Sequence, residues 1–257
     1  MTEFALYLDD SGHPDDQPFL AIAGYVSTEA KWLAFEPQWR ETLKRFNLGD
    51  ECHMTDFMNQ RFTPLKRDQI LSTLAAVTNA HTLRPFVCAI DVTAWKRVND
   101  EFALEECHGA PFAITARSLA RELNIWKSAN IKVDDYFLSF TEEGTKHYGQ
   151  MEQVFKRDSI PVPIRVPKAM PRVQPCDVLA WETFNYLRSG SPSRLSKNLH
   201  RLTRMIRKQQ VFGGILYESD LRRICRETDV YPRSTLNPGD TIRFHSERKR
   251  VRKRTIK

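Results

Sequence analysis

Carboxylate side chains follow the apolar segments of this sequence at the points where strands would end. Asp9 and Asp10 come directly after an apolar run at 4–8, and Glu142 follows a second run at 136–140. In open α/β sheets, active sites gather at the carboxyl ends of the strands. Carboxylates that meet there provide the hard oxygen ligands that Mg²⁺ and Mn²⁺ prefer, and such ions support displacement at phosphorus. The pattern therefore predicts a divalent metal site for phosphoryl chemistry.

A further acidic residue is predicted at the start of a helix. Residues 174–177 read Gln-Pro-Cys-Asp, and Pro175 suits the first helical position, so Asp177 would lie in the first turn. The predicted metal ligands are Asp9, Glu142 and Asp177. Three other acids near strand ends are alternative ligands, which we call the reserve acids: Asp10, Asp91 and Glu143. All of these acids also have a structural interpretation, because turns, strand exits and first helical turns favour carboxylates.

The elements that must position these acids alternate along the chain. Apolar runs predict strands at 4–8, 19–26, 84–92, 136–140 and 160–166. Apolar residues at three- and four-residue spacing predict helices at 32–46, with an interruption at Pro37, and at 64–80, 111–129, 146–156, 175–187 and 217–228. Strands that alternate with helices predict an α/β sheet protein with helices packed on its faces.

Composition and motifs argue against several classes of protein. The chain has 257 residues, of which 41% are hydrophobic, and this is enough for a large folded core. The longest apolar run, at 19–26, is far shorter than the ~20 residues that span a bilayer, and we expect no secretory signal at the amino-terminal end. The five cysteines are scattered without C-x-x-C spacing, which argues against a zinc site or a disulfide framework and favours a cytoplasmic protein. Neither glycine-rich phosphate-binding motif of nucleotide enzymes occurs in the sequence.

Positive charge is concentrated in the carboxyl-terminal part of the sequence. Residues 1–187 contain 20 basic and 26 acidic side chains, whereas residues 188–257 contain 19 basic and 6 acidic ones. We predict a sheet domain over 1–188 and a basic helical extension over 189–257. Because Lys and Arg neutralise phosphates, the predicted partner is DNA or RNA rather than a membrane, and a solvated charged tail is the alternative. The extension supplies the predicted substrate contacts Arg201, Arg204 and Lys208.

Four segments together resemble a known family. The segment at 8–12, Leu-Asp-Asp-Ser-Gly, looks like the Y-x-D-E-S-G opening of the bacterial domain-of-unknown-function family 3800. Residues 23–26, Ala-Gly-Tyr-Val, and the Trp-rich helix after them are similar to its second strand and first helix. Residues 52–57, Cys-His-Met-Thr-Asp-Phe, resemble its short E-L/F-H motif, and residues 173–180 resemble its closing L-Q-x-A-D-x-x-A helix. The resemblance covers about residues 3–188.

The resemblance implies a ribonuclease-H-like mixed sheet and a metal-dependent nuclease. Carried over by position, Asp9 and Asp177 would bind the metal, with Gln174 beside Asp177 as a substrate contact. The family's middle acid follows a strand as Asp-Glu, whereas this chain reads Thr141-Glu142, so Glu142 is the closest counterpart.

Two other polar residues in these motifs are candidate site residues. His53 would assist proton transfer or contact a phosphate, because the pKa of histidine ordinarily lies near neutrality, and a structural histidine is the alternative. Ser11 would hold Asp9 or a phosphate through its hydroxyl. Asp10 and Thr141 depart from the family's pattern, which leaves open a catalytically inactive nucleic-acid-binding module. An interaction subunit of a defence or mobile-element system is a further alternative.

Overall fold

A six-stranded mixed sheet forms the centre of the protein. The computed structural model describes residues 1–13, 15, 17–189, 201–206 and 211–235. The strands are β1 (Glu3–Ser11), β2 (Phe19–Thr28), β3 (Arg84–Asp91), β4 (Tyr136–Glu142), β5 (Ile164–Val166) and β6 (Phe212–Leu216). They are hydrogen-bonded in the order β5-β4-β1-β2-β3-β6. The predicted α/β class with helices on the faces of a sheet is confirmed.

The directions of the strands bring most of their carboxyl ends to one edge of the sheet. Strand β2 runs antiparallel to both β1 and β3. The pairs β1–β4, β4–β5 and β3–β6 are parallel. Among the described strands, β2 alone therefore runs against the others, and the remaining five end at the same edge.

Helices cover both faces of this sheet. They are α1 (Glu29–Arg45), α2 (Met54–Asn59), α3 (Pro64–His81), α4 (Val92–Glu101), α5 (Leu104–His108), α6 (Pro111–Asn130), α7 (Tyr148–Arg157), α8 (Gln174–Leu187) and α9 (Glu218–Glu227); residues 201–206 are also helical. One core cluster combines Leu6 and Leu8 with α6, and the other combines Ala5 and Tyr7 with α8. Alternate residues of a strand point to opposite faces, so we call these the α6 face and the α8 face. None of the described helices is long and apolar enough to cross a membrane.

Helix α1 differs from its prediction at Pro37. The sequence predicts a kink or a restarted first turn there; α1 runs without a restart from Glu29 to Arg45 with Pro37 inside it. Proline removes one main-chain hydrogen bond from a helix interior. Burial of Trp32, Phe35 and Trp39 on one side of α1 offsets this loss, because each of these aromatic side chains is fully buried.

Strand β6 is not predicted by the sequence, and it places part of the predicted basic extension in the central sheet. It pairs with β3 from Phe86↔Phe212 to Ile90↔Leu216, and α9 after it packs against α4. Residues 211–235, which the sequence places in the extension over 189–257, are therefore integral to the sheet and its helical layer. Glycine is required at Gly213, where φ is +136° and an added Cβ would meet the Val87 carbonyl oxygen at 1.7 Å. Two adjacent glycines also weaken the strand signal in the sequence.

Candidate functional site

Three carboxylates from distant parts of the chain line one cleft. Asp9 near the end of β1, Glu142 at the end of β4 and Asp177 in the first turn of α8 all border one small cleft. We call it the Asp9 cleft. Its lining residues are Asp9, Glu51, Cys52, His53, Glu142, Lys168, Val173, Gln174 and Asp177. All three predicted ligands, together with the predicted site residues His53 and Gln174, thus lie in one place.

The register of two parallel strands explains why Asp9 and Glu142 are neighbours. Leu8 pairs with Thr141, so the next residues along the strands, Asp9 and Glu142, lie side by side at the end of the pair. Strand alternation turns both of them to the α8 face, while Thr141 lies on the α6 face with its hydroxyl 3.0 Å from that of Thr145. Glu142, rather than Thr141, is therefore the residue of β4 that belongs to the cleft.

Asp177 is fixed by the start of α8 and by the loop before α2. Pro175 occupies the first turn of α8, as predicted, and Asp177 lies in the same turn. One carboxylate oxygen of Asp177, Oδ2, accepts a hydrogen bond of 2.6 Å from the main-chain N–H of Met54. This bond ties the segment that carries His53 to the helix that carries Asp177.

Gln174 is a buried connector in the wall of the cleft. Its Oε1 accepts hydrogen bonds from Trp39 Nε1 at 2.8 Å and from the main-chain N–H of Cys52 at 2.9 Å. Its Nε2 donates to the carbonyl oxygens of Asp50 and Ala169 at 3.4 and 3.3 Å. The amide group is thus engaged with the protein itself. The sequence predicts that Gln174 contacts the substrate, whereas its observed contacts hold α1, the 50–52 loop and α8 together.

Burial and mutual repulsion raise the pKa values of carboxylates in and beside the cleft. Burial raises the pKa of Asp9 well above its usual value, and repulsion from Asp177, Asp10 and Glu142 raises it further. Burial, with repulsion from Glu142, raises the pKa of Asp10 to about 7. Burial also raises the pKa of Asp177 to about 6, against the opposing effects of His53 and of the Met54 N–H. A cation bound among these groups would relieve this repulsion.

The donor set of the cleft fits a hard divalent cation. Carboxylate oxygens are the ligands that Mg²⁺ and Mn²⁺ prefer, and the three acids come from rigid elements of the fold. Within the described ranges, however, no group of three or more His, Cys, Asp or Glu side chains is already arranged as a metal site. The chemistry of the residues therefore fits the metal, and the side chains would adjust to bind it.

Two basic side chains border the acids of the cleft. His53 and Lys168 both contact Asp56, with His53 Nδ1 at 3.4 Å and Lys168 Nζ at 3.6 Å from Asp56 Oδ2. Each also lowers the pKa of Asp177. Lys168 is not among the residues that the sequence predicts for the site, and its position six residues before Gln174 is the local cue to it.

The reserve acids lie outside the cleft. Asp91 caps α4, since its Oδ1 accepts a hydrogen bond of 2.8 Å from Ala94 N. It pairs with Phe19, four residues along β2 from the Ala23 that pairs with Asp9, which corresponds to ~13 Å along the strand. Two other reserve or substrate candidates, Glu143 and Ser11, do not line the cleft. The side chain of Asp10, next to Asp9, points to the α6 face and acts on the cleft through its charge, while the main-chain N–H of Asp10 donates a hydrogen bond of 2.8 Å to Asp9 Oδ1.

The predicted substrate contacts of the extension lie elsewhere on the α8 face. Arg204 donates to the Ser72 hydroxyl at 2.6 Å and pairs with Asp68 at 3.2 Å. Arg201 Nε lies 3.7 Å from the same Asp68, and the Arg201 side chain is largely buried. Both arginines therefore anchor residues 201–206 on α3 and are not brought to the Asp9 cleft. Lys208 lies outside the described residues.

Comparisons with known proteins do not assign this chain to a family. No protein-family model matches it, and a search of curated proteins finds no significant match.

Proposed function

We propose that this protein is a metal-dependent nuclease that hydrolyses phosphodiester bonds of DNA or RNA. The observation that carries the proposal is the meeting of Asp9, Glu142 and Asp177 in one cleft at the carboxyl edge of the sheet. Burial and repulsion from neighbouring acids raise the pKa of Asp9 and of Asp177, and the basic side chains that line the described part of the cleft are His53 and Lys168. Buried acids in a cleft with strongly raised pKa values are typical of functional sites rather than of structural acids.

The arrangement of the sheet supports a ribonuclease-H-like assignment within this proposal. Strands β1, β2 and β3 form an antiparallel meander, and β4 and β5 then add to β1 in parallel. The resemblance in the sequence implies this type of sheet, with one acid on its first strand and another on its last helix. Strand β6 is an addition at the β3 side.

The residues of the cleft have separate roles in the proposed reaction. Asp9, Glu142 and Asp177 would hold Mg²⁺ or Mn²⁺, which when bound would stabilise the charge that develops on the phosphate oxygens. Lys168 offers a positive charge at the mouth of the cleft, where a phosphate oxygen would accept its hydrogen bonds. His53 moves a proton to or from the reacting oxygens or contacts a phosphate. The loop–helix bond from Met54 N to Asp177 keeps these two sides of the cleft in place.

A nuclease assay tests the proposal directly. Single- and double-stranded DNA and RNA are incubated with Mn²⁺ and wild-type protein, Asp9→Asn or Asp177→Asn. Asp134→Asn, which removes an exposed carboxylate remote from the cleft, is the matched control. We expect cleavage by the wild type and the control and about a hundredfold slower cleavage by the two cleft variants. Equal rates in all four proteins would rule it out.

A catalytically inactive nucleic-acid-binding module is the second candidate. It is favoured by the lack, among the described residues, of a ready-made group of three metal-ligating side chains. Calorimetric titration with Mn²⁺ separates the two, because binding that Asp9→Asn abolishes supports the enzyme. Deletion of 241–257 then tests whether the basic tail binds nucleic acid: weaker binding with a flatter salt dependence is expected for either candidate.

A further inference from the structure

A second cluster of titratable side chains lies on the opposite face of the sheet edge. His13 follows the end of β1, and Lys146 and His147 precede α7. Lys146 Nζ lies 2.6 Å from His13 Nε2, and the rings of His13 and His147 are 6.2 Å apart. The basic cluster lies close to Asp10, and the positive charge of Lys146 lowers the pKa of that carboxyl group.

We propose that His13, Lys146 and His147 form a phosphate-binding subsite for the nucleic-acid strand. The subsite holds a phosphate group next to the one that is cleaved in the Asp9 cleft. This inference rests on the proposed function for its ligand, but its position and its basic side chains are independent of the cleft.

The backbone holds His13 and His147 in place before any ligand arrives. Gly12 has φ of +96° and an added Cβ would meet the Phe19 carbonyl oxygen at 2.3 Å, so only glycine allows this turn into His13. Gln17 accepts a hydrogen bond from His13 N and donates one from its own N to the His13 carbonyl oxygen. The ring of His147 packs on the buried ring of Phe112, with 5.0 Å between the centroids. A pre-organised site of this kind loses little entropy when it binds a ligand.

The cluster has unused hydrogen-bonding capacity. The Lys146 ammonium has three N–H donors, and its described contact with His13 uses one of them. His147 Nε2 is shielded from solvent and has no hydrogen-bond partner among the described residues. A buried polar atom without a partner calls for a water, an ion or a ligand nearby. Phosphate oxygens, directly or through a bridging water, can satisfy both groups.

Two carboxylates lie near this cluster, and the charge of one of them allows a test of whether the ligand is a phosphate or a cation. Asp10 interacts with Lys146, and Asp15 interacts with His147. Asp15 is exposed. Its negative charge would oppose a phosphate and assist a metal ion. Neutralising Asp15 therefore has opposite effects on the two kinds of ligand.

Titration with inorganic phosphate, followed through the histidine ring signals in NMR spectra, tests the subsite. In the wild type we expect saturable shifts of the His13 and His147 signals, which Lys146→Gln weakens by about tenfold in affinity. Lys132→Gln is the control, because Lys132 precedes β4 whereas Lys146 follows it, so the two lie at opposite ends of that strand. Asp15→Asn should tighten phosphate binding. Absence of shifts, equal binding by Lys146→Gln, or weaker binding by Asp15→Asn would overturn the subsite.

Oligonucleotide binding without divalent metals separates this inference from the nuclease proposal. Anisotropy of a labelled single-stranded oligonucleotide is measured in EDTA, where no metal-dependent cleavage occurs. Lys146→Gln should weaken binding and lower the salt slope by about 1, and Lys132→Gln should not. Binding that depends on Lys146 in a protein that never cleaves would refute the nuclease proposal and keep the subsite. Phosphate binding without oligonucleotide binding would overturn the assignment of the subsite to nucleic acid.

Discussion

The main-chain N–H of Met54 donates a hydrogen bond of 2.6 Å to Asp177 Oδ2. This contact joins residues that are 123 positions apart in the chain and sets the distance between the His53 loop and helix α8. The other oxygen of Asp177 takes no part in this hydrogen bond, so the carboxylate keeps lone pairs that a cation in the Asp9 cleft could use.

Divalent metal should stabilise the folded protein through the Asp9 cleft. At a hundredfold excess of Mn²⁺ over its Kd, the Tm of the wild type should rise by about 5–10 °C, because the metal binds the folded state and relieves carboxylate repulsion. Asp9→Asn should lose this rise. Scanning calorimetry with Mn²⁺ and with EDTA measures it, and Asp134→Asn should behave as the wild type does. A rise that persists in Asp9→Asn would place the metal elsewhere.

Burial of Asp10, together with repulsion from Glu142, should make the metal-free protein less stable at alkaline pH. The pKa of Asp10 is raised from its ordinary value near 4 to about 7, so the folded state binds more protons than the unfolded state between these values. The free energy of unfolding should therefore fall as the pH rises through this window. Asp10→Asn should increase the free energy of unfolding by about 1–2 kcal/mol at pH 8 and leave it unchanged near pH 3.5.

Urea unfolding in EDTA at the two pH values measures this effect. Asp134→Asn, which changes an exposed carboxylate, should show no such difference between pH 3.5 and pH 8. A loss of stability in Asp10→Asn at pH 8 would mean that the contact with Lys146 outweighs the repulsion from Glu142.

Gln174 should be required for stability even without a substrate. Gln174→Leu keeps the approximate volume but leaves the Trp39 Nε1 and Cys52 N donors without their acceptor. Each buried donor that loses its partner costs about 1–3 kcal/mol, so the free energy of unfolding should fall by about 2–4 kcal/mol. Urea denaturation measures it, with Gln69→Leu on the exposed side of α3 as the control. A change below 0.5 kcal/mol would show that water replaces the amide.

Alanine substitutions at two adjacent glycines test whether β6 belongs to the sheet. Gly213→Ala should lower the free energy of unfolding by about 2–3 kcal/mol, because its Cβ would overlap the Val87 carbonyl oxygen. Gly214→Ala should change it by less than about 0.5 kcal/mol, because nothing lies within 4 Å of that Cβ. Thermal denaturation of the two variants gives the comparison. Equal stabilities would contradict the pairing of β6 with β3.

Local patterns in the sequence predict most of the fold. Apolar runs mark β1 to β4, and helix periodicity marks α3, α6 and α8, since these elements bury long apolar faces. Strand β6 escapes this reading because Gly213 and Gly214 carry no side chain to form a pattern. Pro37 misleads for a related reason: the packing of α1 on the sheet, which keeps the helix continuous, is a property of the tertiary structure.

The candidate site, like the fold, is only partly predictable from local patterns in the sequence. Asp9 and Asp177 can be placed from local motifs, since one ends a strand and the other begins a helix. The choice between Glu142, Glu143 and Asp91 depends on the register of β4 and β3 against their neighbours, which no local pattern encodes. The pairing of Arg201 and Arg204 with Asp68 likewise joins segments more than 130 residues apart. Lys168 lies in a short connection and carries no periodic signal.

The pairing of β6 with β3 has a consequence for any shortened form of the protein. A chain cut after residue 188 would keep Asp9, Glu142 and Asp177 but would expose the main-chain donors and acceptors of β3 along its outer side. Leu221 and Cys225, which are buried against the α6 face, would be lost at the same time. Open strands beside uncovered apolar surface recruit further strands from other molecules. Such a fragment would therefore tend to self-associate. Residues 211–230 prevent this in the whole protein, because they pair with β3 and cover the apolar surface beside it.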